Sequence, residues 1–299
     1  MDTYPQTLNI HGTPVPLKNL GKPYGGEADT ATKGDVIDYY VRIAPYLLPH
    51  IYDKPFCMIH FPHGVRGGKS FYQKERPPDA PAWLKSVALP STKRGEINWC
   101  LVNNAASIAY MAGRSVIEMH TWFSRLPDLS RPDVAVIDLD PSGEAGFGEA
   151  RQTALLFRTL LSQLKLRAVP KTSGGQGIHI YIPIAPVPFG EVQSFLKKLC
   201  QIVADSYPHL ATLERTVGAR GSRIYLDAVQ NAHGKTIAAP YSLRAKEGLP
   251  VSAPLLWEEL DNPELSPLSY NIYNIWSRLK EAGDPMGGLY ESAQELPRL

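Results

Sequence analysis

Residues 134–143 read VAVIDLDPSG, an apolar β-branched run that stops on two carboxylates, Asp138 and Asp140, one residue apart. In a strand the side-chain period is two, so both acids point to one face with Leu139 opposite. Two like charges that close repel unless protons or a cation compensate them. Oxygen donors at a strand edge suit Mg²⁺ and Mn²⁺, which keep coordination positions for water and substrate phosphate. Two such ions about 3.5–4 Å apart could activate an attacking oxygen and stabilise a leaving one. A third acid is then expected, and Asp227, ending the apolar run of RIYLDA (223–228), is the candidate. A single Asp would more simply cap a helix or open an Asp-Pro turn; DLD after VAVI favours the metal.

Three further clusters carry groups suited to phosphate or nucleic acid. In KTSGGQGIHIY (171–181), Ser173, Gly174 and Gly175 can present backbone N–H groups to a phosphate. His179 follows on the strand face opposite the isoleucines. Residues 215–246 hold Arg215, Arg220, Arg223, Lys235, Arg244 and Lys246 against one acid, Asp227. Fork-shaped Arg donors in such excess suit a triphosphate, although any one of them alone reads as a solvated surface charge. RGGKSFYQKER (66–76) sets Arg66, Lys69, Lys74 and Arg76 around Phe71 and Tyr72, so a ring could stack on an unpaired base while cations hold the backbone. If this loop is a strand, one of the two rings is expected in the core. Lys18, Lys22 and Lys33 could grip a phosphate from the N-terminal arm.

The elements that must position these groups follow from pattern. The chain has 299 residues, 43% hydrophobic and 20% charged, with a formal charge of +2, so any basic surface must be local. Cys57, Cys100 and Cys200 fit neither zinc spacing nor a disulfide framework, which favours a reducing compartment. No signal peptide or long apolar run is present, and a soluble cytoplasmic protein with no membrane partner is expected. Residues 1–31 read as an arm. Residues 35–48 read as a helix kinked or ended by Pro45, 55–61 as a strand, and 62–82 as a loop or hairpin. Helical periodicity extends over 103–123 and over 149–164. GIHIYIPI (177–184) and SRIYLDAV (222–229) read as strands. Helices and strands mix without a βαβ rhythm, which predicts an α+β fold with mixed or antiparallel sheets flanked by helices. By length the chain could form one large domain or two smaller ones, and Pro and polar residues after about 260 predict a surface tail over 261–299.

Together these clusters resemble the polymerase domain of bacterial ligase D, within the archaeo-eukaryotic primase superfamily. The resemblance runs over roughly residues 17–260 and is carried by TKGDVIDYY (32–40), FPHGVRGGKSFYQK (61–74), VIEMH (116–120), VIDLDPS (136–142), KTSGGQGIHIY (171–181) and RIYLDAVQNAHGKTIAAPYSLRA (223–245). It implies a single catalytic domain over 1–260, of primase-polymerase architecture with an RRM-like core. The implied activity is template-dependent nucleotidyl transfer that fills gaps or extends DNA ends in non-homologous end joining. Asp138, Asp140 and Asp227 would bind two Mn²⁺ or Mg²⁺ ions. His120, Ser173, Gly174, His179, Arg220, Lys235 and Arg244 would hold the incoming NTP or dNTP. By pattern alone, His120 is a histidine late in an amphipathic helix. Lys22 and Lys33 match lysines that bind a 5′-phosphate, and Phe71, Tyr72 and Lys74 fall where the family meets DNA. The implied partners are DNA with a gap, overhang or 5′-phosphate, a Ku-type end-binding protein and a separate DNA ligase. With no ligase or nuclease segment in the chain, the resemblance is to a stand-alone version.

The chain departs from the family pattern at Ile59 and His60, where basic residues are usual, at Gln176, where lysine is common, and in the LDAVQN context of Asp227. Two other readings fit parts of the sequence. An apolar strand ending in DxD also opens haloacid-dehalogenase-like phosphatases, although Pro141 and Ser142 follow here. A non-catalytic DNA-end or gap binder would need only the basic loop and arm.

Overall fold

A computed structural model describes residues 6–26, 30–91 and 94–299. In chain order these form strands β1 (Gln6–Ile10) and β2 (Thr13–Leu17), helix α1 (Lys33–Ile51), strands β3 (Pro55–His60), β4 (Phe71–Gln73), β5 (Ser86–Ser91) and β6 (Gly95–Leu101), helix α2 (Ala105–Gly113) and strand β7 (Val116–Thr121). There follow β8 (Val134–Pro141), α3 (Phe147–Gln163), β9 (Val169–Thr172), β10 (Ile178–Pro183), α4 (Phe189–Ser206), β11 (Ala211–Thr212), β12 (Ile224–Leu226), β13 (Ile237–Ala238) and α5 (Ile275–Ala282). The fold is α+β, and its contacts divide the chain into two compact units. No helix among the described residues is long and apolar enough to cross a membrane.

The first unit holds residues 1–122, 236–251 and 270–275. Its main sheet runs β13-β7-β3-β6-β5, with β4 paired to β3. The arm expected over 1–31 contains a β1–β2 hairpin instead. His11 and Gly12 join its strands with φ of 49° and 83°, the two left-handed residues a tight hairpin turn requires. Prolines at 14 and 16 hide this signal in the sequence.

Helix α1 starts on a capping box in which Thr32 and Asp35 satisfy each other's backbone N–H. It buries Val36, Tyr39, Tyr40, Ile43 and Leu47 and runs through Pro45 and Pro49 to Ile51. Both prolines lie on its exposed side, where water can satisfy the carbonyls that lose their donors. The helix expected over 103–123 is in fact α2 followed by β7. Gly113 ends the helix, and Ser115, at φ 71°, turns the chain into the strand. Because β7 is buried on both faces, its apolar residues lack the period-two alternation that marks a half-exposed strand.

The second unit holds residues 123–235, 252–269 and 276–299. Its sheet runs β11-β12-β8-β10-β9, antiparallel except for β11 with β12. Helices α3 and α4 pack against it. Within the segment 261–299, expected as a surface tail, Leu265, Leu279, Met286 and Leu289 are buried. Gln294 pairs with Ile184 beside β10 and hydrogen-bonds the Arg167 and Pro183 carbonyls. Scattered apolar residues between prolines give no period, so only the folded chain shows which of them are covered.

Candidate active site

The acids stand where three strands of the second unit meet. Val134–Ile137 are buried, and β8 carries Asp138 and Asp140 beyond them. Antiparallel pairing sets Tyr225 of β12 opposite Asp140 and Leu226 opposite Leu139. The next residue, Asp227, donates its N–H to the Asp138 carbonyl at 3.1 Å, which extends the ladder by one bond. Residues directly opposed across such a ladder share a face, so Asp138, Asp140 and Asp227 lie on one side of the sheet. Asn231 then bonds both the N–H and the carbonyl of Val136, at 2.8 and 2.6 Å, and fastens the segment after Asp227 to β8.

Partial burial and the neighbouring Asp227 charge raise the Asp140 carboxyl above its ordinary range, and Arg220 opposes them. Arg220 lies over the Tyr225 ring, 3.7 Å from its centroid, and donates to the Glu214 and Arg215 carbonyls. The Asp227 Oδ1 accepts from the Val229 N–H at 3.0 Å and from the Tyr225 hydroxyl at 3.4 Å.

On the other side of β8, β10 places His179 opposite Asp138, with Nε2 3.3 Å from Oδ1. His179, on the strand face opposite the isoleucines, is buried as well. Register carries the row one strand further, to Lys171 of β9 opposite His179. Lys171 is fully buried, bonds the Ser252 hydroxyl and lies over the Tyr181 ring, 5.6 Å from its centroid. Lys171–His179–Asp138–Asp227 is thus one cross-strand row. Lys171 was visible as the first residue of the KTSGG motif but carried no periodic signal of its own.

The turn after Lys171 closes on itself. The Ser173 hydroxyl accepts from the N–H groups of Gly175 (3.0 Å) and Gly177 (3.1 Å), and the Ser173 N–H bonds the Gly177 carbonyl. The N–H groups of Ser173 and Gly175 therefore serve the turn, whereas the sequence suggested that they face a phosphate. A Cβ on Gly177 would lie 2.1 Å from the Leu139 carbonyl oxygen, so glycine there lets the turn pass β8. Gly174 takes φ 66°. Lys235 and Gln176 are exposed.

The first unit carries the remaining candidates. His120 sits on β7, not on a helix, and Glu118, two residues before it, shares its face. Glu118 Oε2 lies 3.4 Å from His120 Nε2; its Oε1 lies 3.2 Å from Arg244 Nε and accepts from the Ala245 N–H at 3.1 Å. Burial opposes its charge, but His120, Arg244 and the Ala245 N–H hold the Glu118 carboxyl down at about 2. Glu118 was missed in the sequence, since an acid inside an apolar motif gives no period.

Lys33 is buried, and its ammonium donates to the Lys18 carbonyl at 3.1 Å. Burial and the charges of Lys18, Lys22 and Arg114 push it down to about 8. Lys22 donates to the Pro62 carbonyl. Phe71 and Tyr72 are both exposed, at 49% and 68%, where one ring was expected in the core. Strand β4 pairs with β3, and Phe71 stacks on the ring of buried His60 with centroids 4.5 Å apart. Lys74 lies over the Trp99 ring.

Carboxylate oxygens are the donors a hard divalent cation prefers, and the Asp140–Asp227 repulsion is what such a cation relieves. The donor set therefore fits Mg²⁺ or Mn²⁺ in kind. Among the described residues, no three His, Cys, Asp or Glu side chains are grouped as a ready metal cage.

A family model described as LigD, primase-polymerase domain, matches residues 32–286. The bifunctional non-homologous end joining protein LigD of Bacillus subtilis is 33% identical over 273 residues, which cover 91% of this chain and 43% of that protein. The multifunctional LigD of Mycolicibacterium smegmatis is 32% identical over 91% of this chain and 36% of that protein. The chain thus spans less than half the length of these relatives. The solved polymerase domain of Mycobacterium tuberculosis ligase D, in complex with DNA, superposes with a TM-score of 0.85 at 29% identity, covering 93% of this chain and 98% of that one. This chain belongs to the LigD primase-polymerase domain family.

Proposed function

We propose that the chain is a template-dependent nucleotidyltransferase that fills gaps or extends DNA ends during non-homologous end joining. One observation carries the reading: Asp227, far along the chain, is laddered to Asp138 on the face that also bears Asp140. Family membership and the DNA bound to the tuberculosis domain support it.

Asp138, Asp140 and Asp227 would hold two divalent cations, Mn²⁺ or Mg²⁺, which when bound supply Lewis acidity at a primer 3′-hydroxyl and neutralise the triphosphate. The chain itself contributes position and charge. His179 orients Asp138, and the Val229 N–H orients Asp227. Arg220, steadied on Tyr225, offsets charge beside Asp140. His120, Ser173, Gly174, Lys235 and Arg244 are assigned to the phosphates and sugar of an NTP or dNTP. Exposed Phe71 and Tyr72 offer π-faces to template bases, with Lys74 beside them for the backbone. Lys22 and Lys33, in a cluster with Lys18 and Arg114, are assigned to a 5′-phosphate. A Ku-type end-binding protein and a separate ligase would complete the repair.

The test is extension of a 5′-phosphorylated gapped duplex with each nucleotide type and with Mg²⁺ or Mn²⁺. Metal-dependent, template-directed addition that disappears in Asp138→Ala is expected, with binding of the gapped duplex retained. Appreciable synthesis by that variant would refute the assignment. Phosphate release from small phosphoesters without DNA would point instead to a phosphatase.

A further inference from the structure

Glu118 is the buried acid to which the proposed mechanism gives no task. It is 9% exposed, and its two oxygens face three donors: His120, Arg244 and the Ala245 N–H. Two of those donors belong to residues assigned to the nucleotide. A buried carboxylate is costly unless paired and hydrogen-bonded, and here the pairing joins a strand histidine to an arginine more than a hundred residues away. The contact to Arg244 is made at Nε, whereas the paired Nη atoms at the tip of a guanidinium are the edge that meets phosphate oxygens.

The backbone of the segment bearing Arg244 is held by several bonds besides the one to Glu118. Ala239 N–H bonds the Met119 carbonyl at 3.0 Å, and Met119 N–H bonds the Ser242 hydroxyl at 2.8 Å. Leu243 N–H bonds the Tyr40 hydroxyl at 2.9 Å, and Arg244 N–H bonds the Pro250 carbonyl at 2.8 Å. The carboxylate adds one backbone bond, to Ala245, and the orientation of two side chains.

We propose that Glu118 is a positioning residue for the incoming nucleotide: it fixes the Arg244 guanidinium and the His120 ring together, and so sets affinity for the triphosphate without touching it. The inference rests on the assignment of His120 and Arg244 to the nucleotide. Glu118→Gln keeps an oxygen for the Ala245 N–H while removing the charge that holds Arg244, and Glu118→Asp keeps the charge on a shorter arm.

The experiment measures nucleotide-addition kinetics, equilibrium binding of a nucleoside triphosphate by calorimetry, binding of a 5′-phosphorylated DNA end, and Tm. Glu118→Gln is expected to raise KM and Kd for the triphosphate about tenfold, the loss of one charge-assisted contact, with kcat changed less than about threefold. Affinity for the DNA end should be unchanged, and Glu118→Asp should recover part of the nucleotide affinity. Unchanged KM and Kd in Glu118→Gln would overturn the proposal, and so would a common fall in kcat and DNA affinity at a temperature well below Tm, which is the mark of a purely structural acid. A wild-type chain that binds no triphosphate would defeat the nucleotidyltransferase reading and this inference with it. A wild type that binds while Arg244→Ala binds equally well would defeat the Arg244 assignment and the inference, and leave the wider reading standing.

Discussion

Asp138 and His179 face each other across β8 and β10, Oδ1 to Nε2 at 3.3 Å, both largely withdrawn from water. A histidine in that place fixes which way the carboxylate points. Truncating it leaves the acid in position and removes its orientation. His179→Ala should therefore slow nucleotide addition by about a hundredfold, the scale of losing one preorganised polar contact at a reacting centre. Binding of the gapped duplex should be retained. Single-turnover extension alongside a DNA-binding titration checks this, and extension within a few-fold of wild type would remove His179 from the site.

Asp140 links activity to stability in opposite senses. Burial and Asp227 raise its carboxyl in the folded chain, so the fold holds a proton there that the unfolded chain has already released. Stability from this group is present at low pH and falls as pH rises through the interval between the two values. As pH rises, Asp140 beside Asp227 becomes a cost to the fold. Asp140→Asn should raise Tm at pH 7 by up to about 2 °C, a modest gain because the side chain is only partly withdrawn from water, which screens the repulsion, while abolishing nucleotide addition. Mn²⁺ should raise the Tm of the wild type and leave that of the variant nearly unmoved. Thermal unfolding with and without the ion reads both outcomes, and a variant less stable than wild type at pH 7 would contradict the repulsion.

The acids were legible because strand periodicity and an apolar run announce a DxD edge, and the same pattern located Asp227. The register that joins them was not legible, since antiparallel pairing between residues so far apart in sequence leaves no local mark. His120 was legible by type and misplaced by element: α2 and β7 are both buried almost throughout, and a run of buried residues has no period to separate helix from strand. Lys171 and Glu118 were invisible as site residues, because a charge inside an apolar strand shows its use only when its cross-strand partners are known. The hairpin β1–β2 was hidden by prolines, although its His-Gly turn was in plain view.

Glu118 also predicts an acid limb of stability. Its carboxyl lies at about 2 in the fold against 4.5 as the ordinary value, held there against burial by His120, Arg244 and the Ala245 N–H. A depressed acid contributes stability above its unfolded pKa and loses it as pH falls through the folded one. Glu118→Gln should therefore be less stable than wild type at pH 7, by at most about 3 kcal/mol. The gap should close as pH falls from 4.5 towards about 2. Denaturant titrations of both chains across that range measure it; a gap independent of pH would mean that Glu118 acts through packing rather than charge.

Lys33 gives the opposite titration, in a window where binding can be followed. Burial, then Lys18, Lys22 and Arg114, bring its ammonium down to about 8 from 10.5. A folded-state lysine with a lowered pKa makes the chain more stable as pH rises from 8 towards 10.5, so weaker binding in that window is not unfolding. A 5′-phosphate favours the charged ammonium, so above pH 8 binding must first take up a proton. Preference for a 5′-phosphate over a 5′-hydroxyl on an otherwise identical gapped duplex should be steady below about pH 8, then fall by up to about tenfold per unit. Lys33→Met should lower that preference at every pH and abolish its slope, whereas Lys33→Arg should keep the charge and flatten the profile. Fluorescence anisotropy with the two duplexes from about pH 7 to about pH 9.5 tests this, since linkage of one proton to binding gives a slope of about one logarithmic unit per pH unit. A wild-type preference that stays level throughout would separate Lys33 from the phosphate.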